Sequence, residues 1–266
     1  MIAAMAGPDT QLPTSLRAQA RWQRLTSAGV PAMLVHPDWE SATPVPVVLW
    51  MHGRTVDKEL DPGRYLRWMR AGIAACAVDL PGHGERFDAA LQQPDRTLDV
   101  VRQMLGEIDP IVDALGAMGL FDLDRAGIGG VSAGGMTALA RLCTRHGFRC
   151  GSVEATTGSW RHQSHRPMFR DRGEEAGDLD PIEHLDGWRE IPFQALHARH
   201  DEWVPIDGQQ TFIDALRRQY RDPDRIEFIR YDRTGAAYEH AGFGRMASEA
   251  KNSQLDFLKR RLRPDA

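Results

Sequence analysis

Arg125-Ala126-Gly127-Ile128-Gly129-Gly130-Val131-Ser132-Ala133-Gly134 followed by Gly135-Met136-Thr137-Ala138-Leu139-Ala140-Arg141-Leu142 is the stretch on which the fold turns. Residues 125–129 read as a short buried strand, and residues 135–142 read as a helix. A serine between them must turn the chain sharply, in a strained conformation that bulky neighbours would obstruct. The glycines two before and two after Ser132 remove the side chains that would collide. The hydroxyl is then lifted clear of the sheet beside a helix N-terminus. A glycine-rich turn with a helix-capping serine shares the same five residues, so the decision rests on what surrounds them.

Downstream, Ile191-Pro192-Phe193-Gln194-Ala195-Leu196 is an apolar run of the kind found in buried parallel strands. Asp201, in His197-Ala198-Arg199-His200-Asp201-Glu202-Trp203-Val204-Pro205, falls in the loop at that strand's C-terminal end, where open α/β sheets gather their active sites. Residues 225–231 read as another strand, and His240 lies in the loop beyond it, before an amphipathic C-terminal stretch. Upstream, 45–51 and 73–78 read as strands flanking a helix over 62–72 that its glycine closes. Residues 21–26 and 32–36 predict an antiparallel hairpin at the sheet edge. Residues 98–118 read as helical, with Pro110 expected to kink or split the helix, and 151–155 as a strand. Strand and helix alternate from residue 45 onward, which predicts an α/β fold: a mostly parallel central sheet with helices on both faces.

Residues 157–190 break that rhythm. They are rich in charge, His, Arg, Trp and Gly, and long unstructured insertions in compact domains are commonly functional. The expectation is a short lid over Ser132, with Trp160 and Met168 presenting apolar surface to a substrate pocket; a solvated excursion is the alternative. Residues 1–13 read as a loose tail and 14–266 as one domain.

Four landmarks together resemble the α/β-hydrolases of the dienelactone hydrolase and prolyl-oligopeptidase-like esterase group: Val48-Leu49-Trp50-Met51-His52-Gly53-Arg54, Asp79-Leu80-Pro81-Gly82-His83-Gly84-Glu85-Arg86, the Ser132 pentad, and His200-Asp201-Glu202-Trp203-Val204-Pro205. The resemblance spans residues 22–262. It implies the α/β-hydrolase fold and a triad in the chain order Ser132, Asp201, His240. It also implies an oxyanion hole from the backbone N–H groups of Ala133 and Arg54.

The chemistry agrees with that order. A serine hydroxyl is a poor nucleophile at neutral pH and needs a base within hydrogen-bond reach, with an acid behind the base. His240 is the candidate base and Asp201 the acid, which heads the D-x-x-V-P segment as in the family. Among rivals, His52 is expected to shape the oxyanion loop, His83 to organise a turn, and the His200 side chain to point away from Asp201; Glu202 and Asp207 are the competing acids. The Arg54 side chain either faces the pocket, where it would attract a substrate carboxylate, or supports its loop.

Composition narrows the partners. The chain has 266 residues with 33 Lys and Arg against 37 Asp and Glu, both signs interspersed, and lacks a basic stripe with aromatics, so nucleic acid is not expected as a partner. No run of 18 apolar residues is present to span a membrane. Cys76, Cys143 and Cys150 form no C-x-x-C pair and read as reduced, buried thiols, hence a cytoplasmic location. His162, His165 and His184 lie together in the lid without a regular ligand spacing, so no metal and no cofactor are expected. The sequence therefore predicts a serine carboxylesterase that cleaves small to medium esters through an acyl-enzyme. A peptidase, a thioesterase or acyltransferase, and an inactive small-molecule binder of the same fold are the alternatives. Whether the chain forms a homodimer is left open.

Overall fold

The computed structural model describes residues 12–167, 169 and 176–263. Most of the tail, and Met168 of the expected pocket, lie outside them. The central element is an eight-stranded sheet in the order β1-β2-β4-β3-β5-β6-β7-β8. Its strands are β1 Ala20–Leu25, β2 Val30–Val35, β3 Val45–Met51, β4 Ala74–Val78, β5 Phe121–Val131, β6 Cys150–Glu154, β7 Phe193–Ala198 and β8 Ile226–Tyr231. The β1–β2 hairpin sits at the edge, β2 runs antiparallel to β4, and every pair from β4 to β8 is parallel.

Alternation along the strands sorts the core into two layers. Val47, Leu49 and Met51 of β3 join one apolar cluster, while Val48 and Trp50 between them join another on the opposite face. The first face is covered by α3 Thr97–Ala117, α4 Ala133–Leu142 and α5 Ile206–Gln219; the second by α1 Thr14–Arg17, α2 Pro62–Arg70 and α6 Ala247–Leu262. Pro62 opens α2, where a missing N–H costs nothing.

Three local expectations need correction. Pro110 does not split α3: the helix runs unbroken through 21 residues. Met104 and Ile108 before the proline, and Ile111 and Leu115 after it, are all buried against the same core, and that packing outweighs one lost backbone bond. The strand leading to Ser132 is eleven residues long and begins at Phe121. Its first residues, Phe121 and Asp122, pair with Val45 and Pro46 of β3, and Leu123, Asp124 and Arg125 bulge out before the pairing resumes at Val47 and Ala126, so no regular strand pattern marks this end. Finally, 157–190 is divided. Leu185 and Trp188 belong to the main core, with the Trp188 ring edge-on to Phe193 and Phe212, so this end of the expected lid is part of the body of the protein.

Candidate active site

The C-terminal ends of β3, β5, β6, β7 and β8 lie side by side, and each delivers part of one site. Ser132 follows β5 with φ of 53° and ψ of −117°, a strained conformation for a residue with a side chain. Two glycines make the turn possible. A Cβ on Gly134 would lie 2.3 Å from the Met51 carbonyl oxygen, and one on Gly130 would lie 2.5 Å from the backbone of Gly134. The elbow is pinned by three bonds: Ser132 N–H donates to the Glu154 carbonyl (2.9 Å), and the Ser132 carbonyl accepts from Met136 N–H (2.9 Å) and from Thr156 Oγ1 (2.8 Å).

Ser132 Oγ lies 3.1 Å from His240 Nε2, and His240 Nδ1 lies 2.8 Å from Asp201 Oδ2. The three residues come from positions up to 108 apart in the chain. Nδ1 facing a carboxylate carries the proton, which leaves Nε2 as acceptor for the serine hydroxyl. Asp201 is 6% exposed, and its other oxygen accepts from the N–H groups of Trp203 (2.9 Å) and Val204 (2.7 Å). With both oxygens engaged, the carboxylate holds one orientation toward the imidazole. His197, which sequence reasoning passed over, packs behind it. Its Nε2 donates to the Val204 carbonyl (2.8 Å) and sits 3.5 Å from Asp201 Oδ2. Burial pushes the His197 pKa down, so the ring stays neutral and braces the loop.

The rival residues point elsewhere. His200 Nε2 faces Asp232 (3.1 Å) at the surface, and Glu202 is exposed. His83 Nδ1 donates to the Pro81 carbonyl (2.8 Å) within its own turn. His52 is buried, and burial drives its pKa down to about 4. Its Nε2 accepts from Leu80 N–H (2.9 Å), and its Nδ1 donates to the Gly53 carbonyl (2.5 Å). A neutral imidazole thereby ties the loop after β3 to the loop after β4. Asp79 reinforces the tie by accepting from Lys58 N–H (3.0 Å), Lys58 Nζ (2.8 Å) and Glu85 N–H (3.0 Å).

That tie positions the loop over the serine. A Cβ on Gly53 would come within 3.3 Å of the Ser132 Cβ, a contact tight enough that the loop or the serine would have to give slightly. Among the described residues, the N–H groups of Ala133 and Arg54 have no hydrogen-bond acceptor. Unpaired N–H groups at the serine elbow and on the loop packed against it are the kind of donor a developing oxyanion needs. The Arg54 side chain has partners of its own within the fold. Its guanidinium donates to Thr97 Oγ1 (2.8 Å) and to the Gln92 carbonyl, fastening the loop to the start of α3.

Trp160 is 2% exposed and packs with Leu98, Val101, Met136 and Phe169, one helical turn along α4 from the serine. Opposite it is a feature without a sequence signal. Trp203 and Tyr238 stack with ring centroids 5.0 Å apart, and Trp203 lies 5.1 Å from the His240 ring. They remain 41% and 55% exposed, although both are large aromatic side chains. In the expected lid, His162 Nε2 pairs with Thr211 Oγ1 and His184 Nε2 with the Gly177 carbonyl. Cys76, Cys143 and Cys150 are all buried thiols; burial raises all three pKa values, those of Cys143 and Cys150 to about 12.

Known proteins place the fold. The prolyl oligopeptidase family matches over residues 64–264. Esterase YjfP of Escherichia coli is 24% identical over 209 residues, covering 73% of this chain and 84% of that protein. Putative esterase YitV of Bacillus subtilis is 25% identical over 223 residues, covering 77% and 88%. In structure, a puromycin-hydrolyzing peptidase of Mycobacterium tuberculosis superposes with a TM-score of 0.73 at 20% identity over 96% of this chain, which spans only 41% of the peptidase. TT1662 from Thermus thermophilus superposes with a TM-score of 0.70 at 21% identity, over 92% of this chain and 98% of its own. The sheet and its structural relatives are those of the α/β-hydrolase fold.

Proposed function

This chain belongs to the prolyl oligopeptidase family, and from that premise we propose that it is a serine esterase that hydrolyses small to medium carboxylic esters with Ser132, His240 and Asp201 as its triad. The observation that carries the reading is His240 bridging Ser132 Oγ at 3.1 Å and Asp201 Oδ2 at 2.8 Å. Ser132 Oγ attacks the ester carbonyl carbon while His240 Nε2 takes its proton. The negative charge moves to the carbonyl oxygen, between the N–H groups of Ala133 and Arg54. Collapse of that intermediate breaks the bond to the alcohol, which leaves with the proton from His240. Water then repeats the sequence on the acyl-enzyme and releases the acid. Asp201 holds the imidazole and stabilises its positive charge without taking a proton.

Esters are favoured over peptides by the relatives that this chain matches over most of their length, both of which carry esterase names. The peptidase of comparable fold is more than twice as long as the part matched here. The exposed Trp203–Tyr238 stack beside His240 offers a flat apolar surface on the side where the leaving group departs. Aryl or other apolar alcohols suit it. No helix among the described residues is long and apolar enough to cross a membrane, and the buried unpaired cysteines fit the reducing cytoplasm.

The test is kcat/KM across matched p-nitrophenyl esters, an aminoacyl p-nitroanilide and an acyl thioester. The esters should be the best substrates, with a pre-steady-state burst from acyl-enzyme. Trp203→Ala should lower kcat/KM for phenyl acetate more than for ethyl acetate. An anilide or thioester that outran every ester would overturn the substrate class, and turnover by Ser132→Ala would overturn the nucleophile.

A further inference from the structure

Five arginines line a cavity of about 370 Å³ at the end of the sheet remote from Ser132. They come from four separate parts of the chain. Arg149 immediately precedes β6, Arg189 lies in the segment before β7, Arg225 immediately precedes β8, and Arg260 and Arg261 sit in the last turn of α6. The strands here are in register, with Gly151 opposite Phe193 and Phe193 opposite Ile226, so their N-terminal ends form one rim. Strands of five or six residues separate this rim from the triad loops by about 20 Å.

Like charges repel, and a chain whose net charge is −4 has acids enough to pair them. Here most of that pairing is missing. Glu190, the one acid on the wall, accepts from Arg221 Nε (3.2 Å) and Asp222 N–H (3.1 Å). Arg260 is matched by Glu227 (2.7 Å). Among the described residues, the Arg189 guanidinium donates to the Phe148 carbonyl and has no ion pair. Among the described residues, the guanidiniums of Arg149 and Arg225 have neither a hydrogen bond nor an ion pair, and Arg261 Nε is buried without an acceptor. Four positive charges therefore face one cavity whose floor is the apolar pair Ile191 and Pro192.

We propose that this cavity is a binding site for a small molecule bearing a diphosphate or two phosphate groups. The forked N–H donors of arginine fit phosphate oxygens in pairs. Two phosphates carry three to four negative charges near neutral pH, which matches the surplus. The volume is in the range of small-ligand pockets, and the apolar floor would take the carbon framework. Strands of β6 to β8 intervene between it and the triad, so it is separate from the ester site.

The experiment is calorimetric titration of the full chain with inorganic pyrophosphate. One saturable site is expected, unchanged in Ser132→Ala and weakened at least about tenfold in the double variant Arg149→Gln/Arg225→Gln. Should the double variant unfold early, the exposed Arg149→Gln alone carries the same test. Absence of saturable binding, or equal affinity in the variants, overturns the site. Tricarballylate, a polycarboxylate, is the second arm: binding as tight as pyrophosphate would show that the cavity reads charge alone and would overturn the phosphate assignment.

Discussion

Asp201 and Glu154 both carry buried carboxylates and both bear on Ser132, yet the carboxylates meet different partners. Asp201 faces His240, a group that can gain and lose a proton. Glu154 faces Arg64, a permanent cation, through two bonds of 2.7 Å, with Arg64 also lying 4.3 Å over the Trp50 ring and bonded to Gln254. Each supports the serine by its own route: Asp201 through the imidazole to Oγ, and Glu154 through its backbone carbonyl to Ser132 N–H. Asp180 extends the series. It is buried, accepts from Trp160 N–H (2.9 Å), and has its other oxygen buried without a partner. The partner sets the chemistry open to each carboxylate: Asp201 meets a ring that can exchange a proton, Glu154 a fixed cation, and Asp180 a backbone N–H with no ion pair.

The largest expected effect is at the reacting groups. Ser132→Ala and His240→Ala should each lower kcat by about 10⁶ while the circular dichroism spectrum and melting curve stay as in the parent, and Asp201→Asn by about 10⁴. If Asp201→Asn cost less than Glu202→Gln, the acid would be misassigned and the contrast with Glu154 would collapse.

Glu154→Gln should separate stability from turnover. Arg64 would lose its buried counter-charge and keep only the partly exposed Asp61 (3.1 Å), so urea unfolding should show a loss of about 2 kcal/mol. The backbone bond to Ser132 survives, and kcat of the folded fraction should stay within about threefold. A large fall in kcat at unchanged stability would mean that Glu154 acts on the chemistry.

Asp180 predicts a pH signature. Burial outweighs its bond to Trp160 N–H and raises its pKa from 3.8 to about 6. The folded state then binds this proton more tightly than the unfolded chain. Its contribution is fully favourable below the unfolded value, declines as pH rises toward about 6, and is constant above. Measured against Asp180→Asn, the parent should lose up to about 3 kcal/mol of unfolding free energy between about pH 4 and pH 7. A stability difference that did not vary with pH would show the carboxyl to be solvated.

Arg54→Ala should have the smallest effect. Its N–H remains, but the bonds to Thr97 and the Gln92 carbonyl are lost. A loss of about 1 kcal/mol in transition-state stabilisation is expected, equal for neutral and anionic esters of matched size. Selective loss on the anionic ester would place the side chain in the pocket after all.

Local signals made much of this protein legible. Apolar runs marked β3 and β7, a turn between two strand-like segments marked the edge hairpin, and the glycines around Ser132 marked the elbow, because each depends on residues close in the chain. The positions of Asp201 and His240 followed from their places after strands, since parallel sheets bring those loops to one end. Tertiary structure decided the rest. Arg64 and Glu154 are 90 residues apart, Arg54 and Thr97 are 43 apart, and no spacing rule joins them. Pro110 stays inside a helix because a core on both sides of it holds the helix together. The arginines at 149, 189, 225, 260 and 261 look like scattered surface charge until three strand ends and a helix end converge. Periodicity and turn chemistry are properties of a chain segment, whereas the partner of a buried charge is a property of the packed fold.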